Sequence, residues 1–304
     1  MYVLKSNRLR IEIQEPSEVM NFTSRFDPTC FITEVVLDQS MYFAASEPHN
    51  MTEDSSGGRG LCSEFRFDAF GEAAVGEWVP KPGIGRLKKV DEKDFVHSRK
   101  YIKEPFQHEL VDLHDKRISF RTLPEECMGY AVETRRTAAV EENSLFMTIQ
   151  LKNTGFKEIT FREYCHNFIS LDGLALGPDY LLELPNAINL QSNVLKGPDF
   201  GGTGSRHLYD VEEGAIRPRY HNPGPAVFEL QEGDISRKVP FVWRLSHAGA
   251  GVSVTGTEYF RPAEVCIWSY DHMLCPEVNF KSTVAPGEEV VWKRQWTFDK
   301  KEVN

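Results

Sequence analysis

The sequence is poor in cysteine, with six in 304 residues, and none of them forms a CxxC pair. Cysteines that sparse exclude a disulfide framework, so Cys30, Cys62, Cys127, Cys165, Cys266 and Cys275 are read as reduced thiols. No apolar run reaches the length of a membrane helix, and the opening MYVLKSNRLRIEI has no apolar signal-peptide core. Both absences point to a cytoplasmic protein with no membrane partner. Positive charge is also short: 35 Lys and Arg face 45 Asp and Glu, a formal net charge of -10. That balance argues against a nucleic-acid groove, which needs a basic surface to neutralise phosphates. A Walker pattern and a GxSxG elbow are both missing. Helical periodicity is scarce everywhere.

Strand patterns are plentiful. In residues 145–152, Leu145, Met147, Ile149 and Leu151 alternate with Phe146, Thr148, Gln150 and Lys152, the period of a strand with one buried face. Asn153, Thr154 and Gly155 supply a turn. The next run puts Ile159, Phe161, Glu163, Cys165, Asn167 and Ile169 on one side, and Arg162, Tyr164, His166 and Phe168 on the other. His166, Arg162 and Tyr164 together make a face suited to a wet, concave site. Further runs lie at NRLRIEI, FITEVVLD, GYAVETRRTAAV, PAVFELQEG, FVWRLSHAG and AGVSVTGTEYF, and Asp38-Gln39-Ser40 reads as a turn. Near the end, Trp292, Arg294, Trp296 and Phe298 share one side. Two glycine-rich stretches, EPHNMTEDSSGGRG and KGPDFGGTGSRHLYD, read as loops. Strand-turn-strand grammar without helical insertions and without a credible linker predicts an all-β antiparallel sandwich, one domain over residues 1–304.

The best metal constellation is His108 and His114 with Asp112 between them. It is poor, because alternate strand residues stand roughly 6.5–7 Å apart, too far for one ion. No metal is expected. Arg162 is expected to pair with a carboxylate of its own sheet, and Arg135-Arg136 to form a solvated strand edge.

Two segments carry a family resemblance. HNFISLDG, residues 166–173, resembles the strand-end segment of aldose 1-epimerases (galactose mutarotases), in which a histidine is followed by aromatic residues, a leucine and a turn. EVCIWSYDHMLCPEVNFKSTVAPGEEVVWKRQWTF resembles the ending of the same family, with Cys275-Pro276-Glu277 where the family sets a glutamate and Pro286-Gly287-Glu288 leading into the last strand. Here Glu277 follows its proline instead of preceding it. The family's N-terminal asparagine-arginine and histidine-glycine-glycine patterns are not found, and GGRGLCSEF places Glu64 where the family has a sugar-binding residue.

The resemblance implies a galactose-mutarotase-like antiparallel β-supersandwich and a small-molecule sugar as partner, with no cofactor. Mutarotation needs a base for the anomeric hydroxyl and an acid for the ring oxygen. By resemblance His166 is the acid and Glu277 the base, with burial raising the pKa of Glu277 and a pyranose fitting between the two. Glu64, Lys81, Arg162, Asp179, His221 and Trp268 are the candidate sugar contacts. Structural roles compete for each: Glu64 and Lys81 beside glycines and prolines as a solvated loop pair, Asp179 and His221 as turn residues, Trp268 as core, Glu277 as a turn cap. A non-catalytic carbohydrate-binding or sugar-sensing protein is the alternative function, and a lyase or ketose isomerase on the same scaffold is a third.

Overall fold

A computed structural model of the chain describes residues 1–47, 56–190, 208–212, 214–223, 226–270 and 272–301. Of the two glycine-rich stretches, residues 48–55 and 196–207 lie outside the described residues. The alternation in residues 145–152 becomes the strand Ser144–Asn153, whose Leu145, Met147, Ile149 and Leu151 are buried. It pairs with Val132–Glu141 on one side and with Glu289–Lys300 on the other. Trp292, Arg294, Trp296 and Phe298 of that last strand all point inward.

These strands lie in a ten-stranded antiparallel sheet. Its order is Tyr209–Glu212, Ala215–Pro218, Tyr180–Glu183, Phe241–His247, Val252–Glu258, Glu289–Lys300, Ser144–Asn153, Val132–Glu141, Arg117–Thr122 and His108–His114. A nine-stranded sheet packs on it. There the order is Tyr2–Lys5, Leu9–Ile13, Ile32–Leu37, Leu61–Arg66, Ile159–Asn167, Met273–Val284, Glu264–Tyr270 and Ala226–Gln231, with Met41–Tyr42 beside Ile32–Leu37. A small sheet of Trp78–Lys81, Gly85–Lys88 and Lys103–Pro105 adjoins the second.

Turn chemistry follows the residues. Asp38 and Gln39 take φ of 48° and 62°, the left-handed region a tight turn demands. Gly155 closes the turn after Ser144–Asn153, because a Cβ there would stand 2.5 Å from the amide nitrogen of Ala131. The near-absence of helical pattern is matched by a single short α-helix among the described residues, Pro16–Phe22, with proline at its first turn. No helix among the described residues is long and apolar enough to cross a membrane.

Between the two large sheets Phe65 and Phe161 pack on Trp292, each such buried side chain contributing about 1.5–3 kcal/mol. Among them runs a chain of charges. Arg294 Nη1 lies 2.5 Å from Glu163 Oε2, and its Nε lies 3.0 Å from Glu258 Oε2. Arg136 Nη2 stands 3.7 Å from Glu163 Oε1, and Nη1 stands 3.3 Å from Asp27 Oδ2. Trp292 Nε1 donates to Glu163 Oε2 at 2.7 Å. The expected solvated strand edge at Arg135-Arg136 is corrected: Val132–Glu141 is paired on both sides, Arg135 is exposed on the outer sheet face, and alternation turns Arg136 into the core at 2% exposure.

Three carboxylates meet two guanidiniums here, so one charge is poorly compensated. Burial pushes the Glu258 carboxyl up to about 7, Arg294 opposing and Glu163 adding to the effect. A carboxyl raised in the folded state contributes stability that is present below its ordinary value of 4.5 and lost as pH rises through about 7. Replacing Glu258 by Gln is expected to flatten the decline in stability over that window, measured by urea unfolding at a series of pH values. Superimposable slopes for the two proteins would contradict it. Arg294→Ala, which leaves Glu258 without its counter-charge and Glu163 with only the longer ion contact to Arg136, is expected to cost about 3–5 kcal/mol in the same assay.

Candidate functional site

The strand Ile159–Asn167 sits in the middle of the nine-stranded sheet, between Leu61–Arg66 and Met273–Val284. Period two sends Glu163 into the inter-sheet core and sends Arg162, Tyr164 and His166 to the opposite face. Register brings Glu64 beside Tyr164 and Cys62 beside His166, while Cys266 faces Glu277 on the next pair of strands.

His166 Nε2 lies 2.8 Å from Glu277 Oε1, and the two side chains are only 5% and 6% exposed. His166 is stacked on Phe168, ring centroids 3.7 Å apart, with Phe26 and Trp268 edge-on at 6.3 and 5.7 Å. The His166 Nδ1 atom is buried without a hydrogen-bond partner among the described residues. Burial opposes ionisation of Glu277, but His166, then Arg25 and Arg66, outweigh it and hold the carboxyl below its ordinary value. Two expectations are thereby corrected. The pair is in direct contact instead of spaced by a pyranose, and the Glu277 pKa is lowered, because neighbouring positive charge wins over burial.

A second cluster adjoins the first. Glu64 is fully buried, with Arg25 Nε at 2.7 Å from Oε2 and Lys81 Nζ at 3.2 Å from Oε1. Tyr164 donates its hydroxyl proton to Glu64 Oε2 at 2.5 Å and accepts from Arg25 Nη2 at 2.8 Å. His97 Nδ1 lies 3.3 Å from Glu64 Oε1. Burial opposes the charge on Glu64, yet Lys81 and Arg25 hold it well below the ordinary carboxylate range. Lys81 also donates to the Phe65 carbonyl at 3.0 Å and sits 3.8 Å over the Phe95 ring. The solvated loop pair expected of Glu64 and Lys81 is thus a buried ion pair between two strands of different sheets. It flanks a cavity of about 460 Å³ lined by Glu64, Arg66, Lys81, His97, Arg162 and Lys281 among others.

Arg162 pairs with Glu264 Oε2 at 2.6 Å, a carboxylate of its own sheet as expected. Trp268 is half-buried and stacks on Tyr270, with its edge toward His166. Asp179 and His221 are not brought to this face. Asp179 is exposed at the turn before Tyr180–Glu183, its carbonyl accepting from Ala248 at 2.8 Å, and His221 is exposed beside Gly177. Both serve turns of the ten-stranded sheet. His108 bonds Thr122 and His114 contacts Asp112, and no group of three metal-ligating residues converges among the described residues. The residues missed from sequence are Arg25, Arg66, His97 and Lys281. Arg66 and Lys281 were open to discovery through the strand alternation, whereas Arg25 lies in an irregular segment with no periodic signal.

Two large antiparallel sheets with this polar face on the second are the galactose-mutarotase-like supersandwich. No family model and no curated protein matches the sequence. Solved structures do match. A galactose mutarotase-like protein from Lactobacillus casei aligns over 98% of this chain and 100% of its own with a TM-score of 0.60 and 14% identity. The Slr1438 protein of Synechocystis aligns over 99% and 96%, TM-score 0.58 and 13% identity. The aldose epimerase homologue from C. elegans aligns over 99% and 98%, TM-score 0.52 and 14% identity. Likeness at such identities establishes the fold, which is the one the two sequence segments implied.

Lys81 offers a direct check of the cluster. Burial lowers it to about 8 while Glu64 works in the opposite direction. In a pH titration followed by NMR of the lysine side chains, two midpoints are expected near 8, those of Lys81 and of the half-buried Lys103, and only the Lys81 midpoint is expected to move lower in Glu64→Gln. A wild-type Lys81 midpoint at the ordinary 10.5 would rule out the buried placement.

Proposed function

We propose that the protein is an aldose 1-epimerase-like enzyme that interconverts sugar anomers by ring opening and closure. The observation that carries this reading is the 2.8 Å contact between His166 Nε2 and Glu277 Oε1 on the polar face of the sheet. Anomer exchange needs one group that gives a proton to the ring oxygen and one that takes a proton from the anomeric hydroxyl. Those two oxygens are bonded to the same carbon, so the acid and base have to be neighbours instead of standing on opposite sides of the ring. A carboxylate kept ionised by His166 and Arg25 suits the base. His166, carrying its proton on Nε2, suits the acid, and the stacked Phe168 fixes its plane. The sugar oxygens would enter by replacing the His166–Glu277 contact with one hydrogen bond to each partner. Once the ring is open, rotation about the C1–C2 bond and reclosure return the proton in the opposite sense.

A second reading, a carbohydrate-binding or sugar-sensing protein without catalysis, draws support from a different observation. His166 and Glu277 are nearly enclosed and are not among the residues lining the 460 Å³ cavity, which opens instead beside Glu64 and Lys81. Saturation-exchange NMR on a panel of free aldoses separates the two readings. The enzyme is expected to accelerate exchange over buffer, and His166→Asn or Glu277→Gln to reduce the rate by about 10²–10⁴-fold. Sugar binding with exchange no faster than buffer would overturn the first reading in favour of the second.

A further inference from the structure

One row of the polar sheet face carries three cations side by side. Arg162 is the direct cross-strand partner of Arg66 on one neighbouring strand and of Lys281 on the other. Like charges placed opposite one another in a sheet destabilise it. The compensation for this row is partial. Arg162 has Glu264, and Arg66 lies over the Tyr164 ring at 4.9 Å, but among the described residues neither Arg66 nor Lys281 makes an ion pair with a carboxylate. Glu64 is held by Arg25 and Lys81, and Asp68 and Asp94, which also line the cavity, make no ion pair with the row. All three cations border the 460 Å³ cavity, with the hydroxyl of Thr160 next along the same strand face. Incompletely compensated cations converging on a cavity are the arrangement that binds an oxyanion.

We propose that Arg66, Arg162 and Lys281 form an anion subsite that takes the phosphate or carboxylate group of an anionic sugar. This deepens the sugar reading and rests on it. Position supports the assignment. Arg162 and His166 share one strand face four residues apart, roughly 13 Å between their backbones at the usual rise per residue. In this proposal the ligand is a sugar whose charged group lies at the end away from the anomeric carbon and is met by the long side chains of the row. His166 and Glu277 then meet the anomeric end while the row holds the other, and Tyr164 lies between them as the floor.

Calorimetric titration of the whole protein with glucose, glucose 6-phosphate, glucuronate and inorganic phosphate, at low and at high salt, tests the subsite. An anionic sugar is expected to bind roughly tenfold or more tightly than glucose, with the advantage shrinking at high salt. Tighter binding of glucose 6-phosphate alone identifies a phosphate as the ligand group, and of glucuronate alone a carboxylate. Lys281→Gln and Arg66→Gln change exposed side chains and are expected to fold, which thermal unfolding checks, and each is expected to remove most of the advantage. Equal affinity for glucose and both anionic sugars overturns the subsite and leaves the proposed function standing. A preference for anionic sugars that survives both substitutions overturns the assignment to this row. Failure of every sugar to bind overturns the subsite and the sugar reading together.

Discussion

The buried contact of Glu163 with Arg294 is the constraint on which both faces of the central strand depend. A carboxylate in a dry inter-sheet space is costly unless it is paired and hydrogen-bonded. Glu163 meets that condition through Arg294 and Trp292 of the opposite sheet, with Arg136 of that sheet at longer range. Because strand side chains alternate strictly, that requirement also fixes where Tyr164 and His166 point. Slipping the register by one residue would expose Glu163 to the polar face and drive His166 into the core. Within the same network Glu258 stays raised to about 7, because burial outweighs the nearby Arg294.

On the other face, charge compensation is graded along the strand. Around Glu64 it is nearly complete, with Arg25 and Lys81 closing on one carboxylate and Tyr164 tying the cluster to the sheet. Glu277 lies 2.8 Å from His166, with Arg25 and Arg66 adding positive charge around it. Along the row of Arg66, Arg162 and Lys281 compensation becomes partial, with Arg162 paired to Glu264, Arg66 sharing the field of Glu64 and Glu277, and Lys281 in no ion pair among the described residues. The wet end and the enclosed end of the face are therefore electrostatically different, and a ligand that spans them must be different at its two ends. The cavity opens at the end where compensation is poorest.

Much of the architecture was legible from residue order. Leu145, Met147, Ile149 and Leu151 announced a buried strand face, and Trp292, Arg294, Trp296 and Phe298 another. Asp38-Gln39 and Asn153 to Gly155 announced turns by their chemistry. The site was less legible. Glu64 and Lys81 looked like solvated loop residues because their neighbours are glycine and proline, and nothing local reveals that Arg25 returns to bury them. Arg136 looked like an edge charge until Asp27 and Glu163 were placed around it. Asp179 and His221 carried plausible chemistry and proved to belong to turns of the other sheet.

By itself the sequence determined the period of each strand, the turns between them and the side of the strand on which each charge falls. Those are local properties, settled by backbone geometry and by residues a few positions apart. Only the tertiary structure decided which charges meet. The contacts of His166 with Glu277, of Glu64 with Arg25 and of Glu163 with Arg294 join residues separated by 111, 39 and 131 positions. Such distances are closed by sheet order and register, and the pKa of each group follows from the partners that closure supplies.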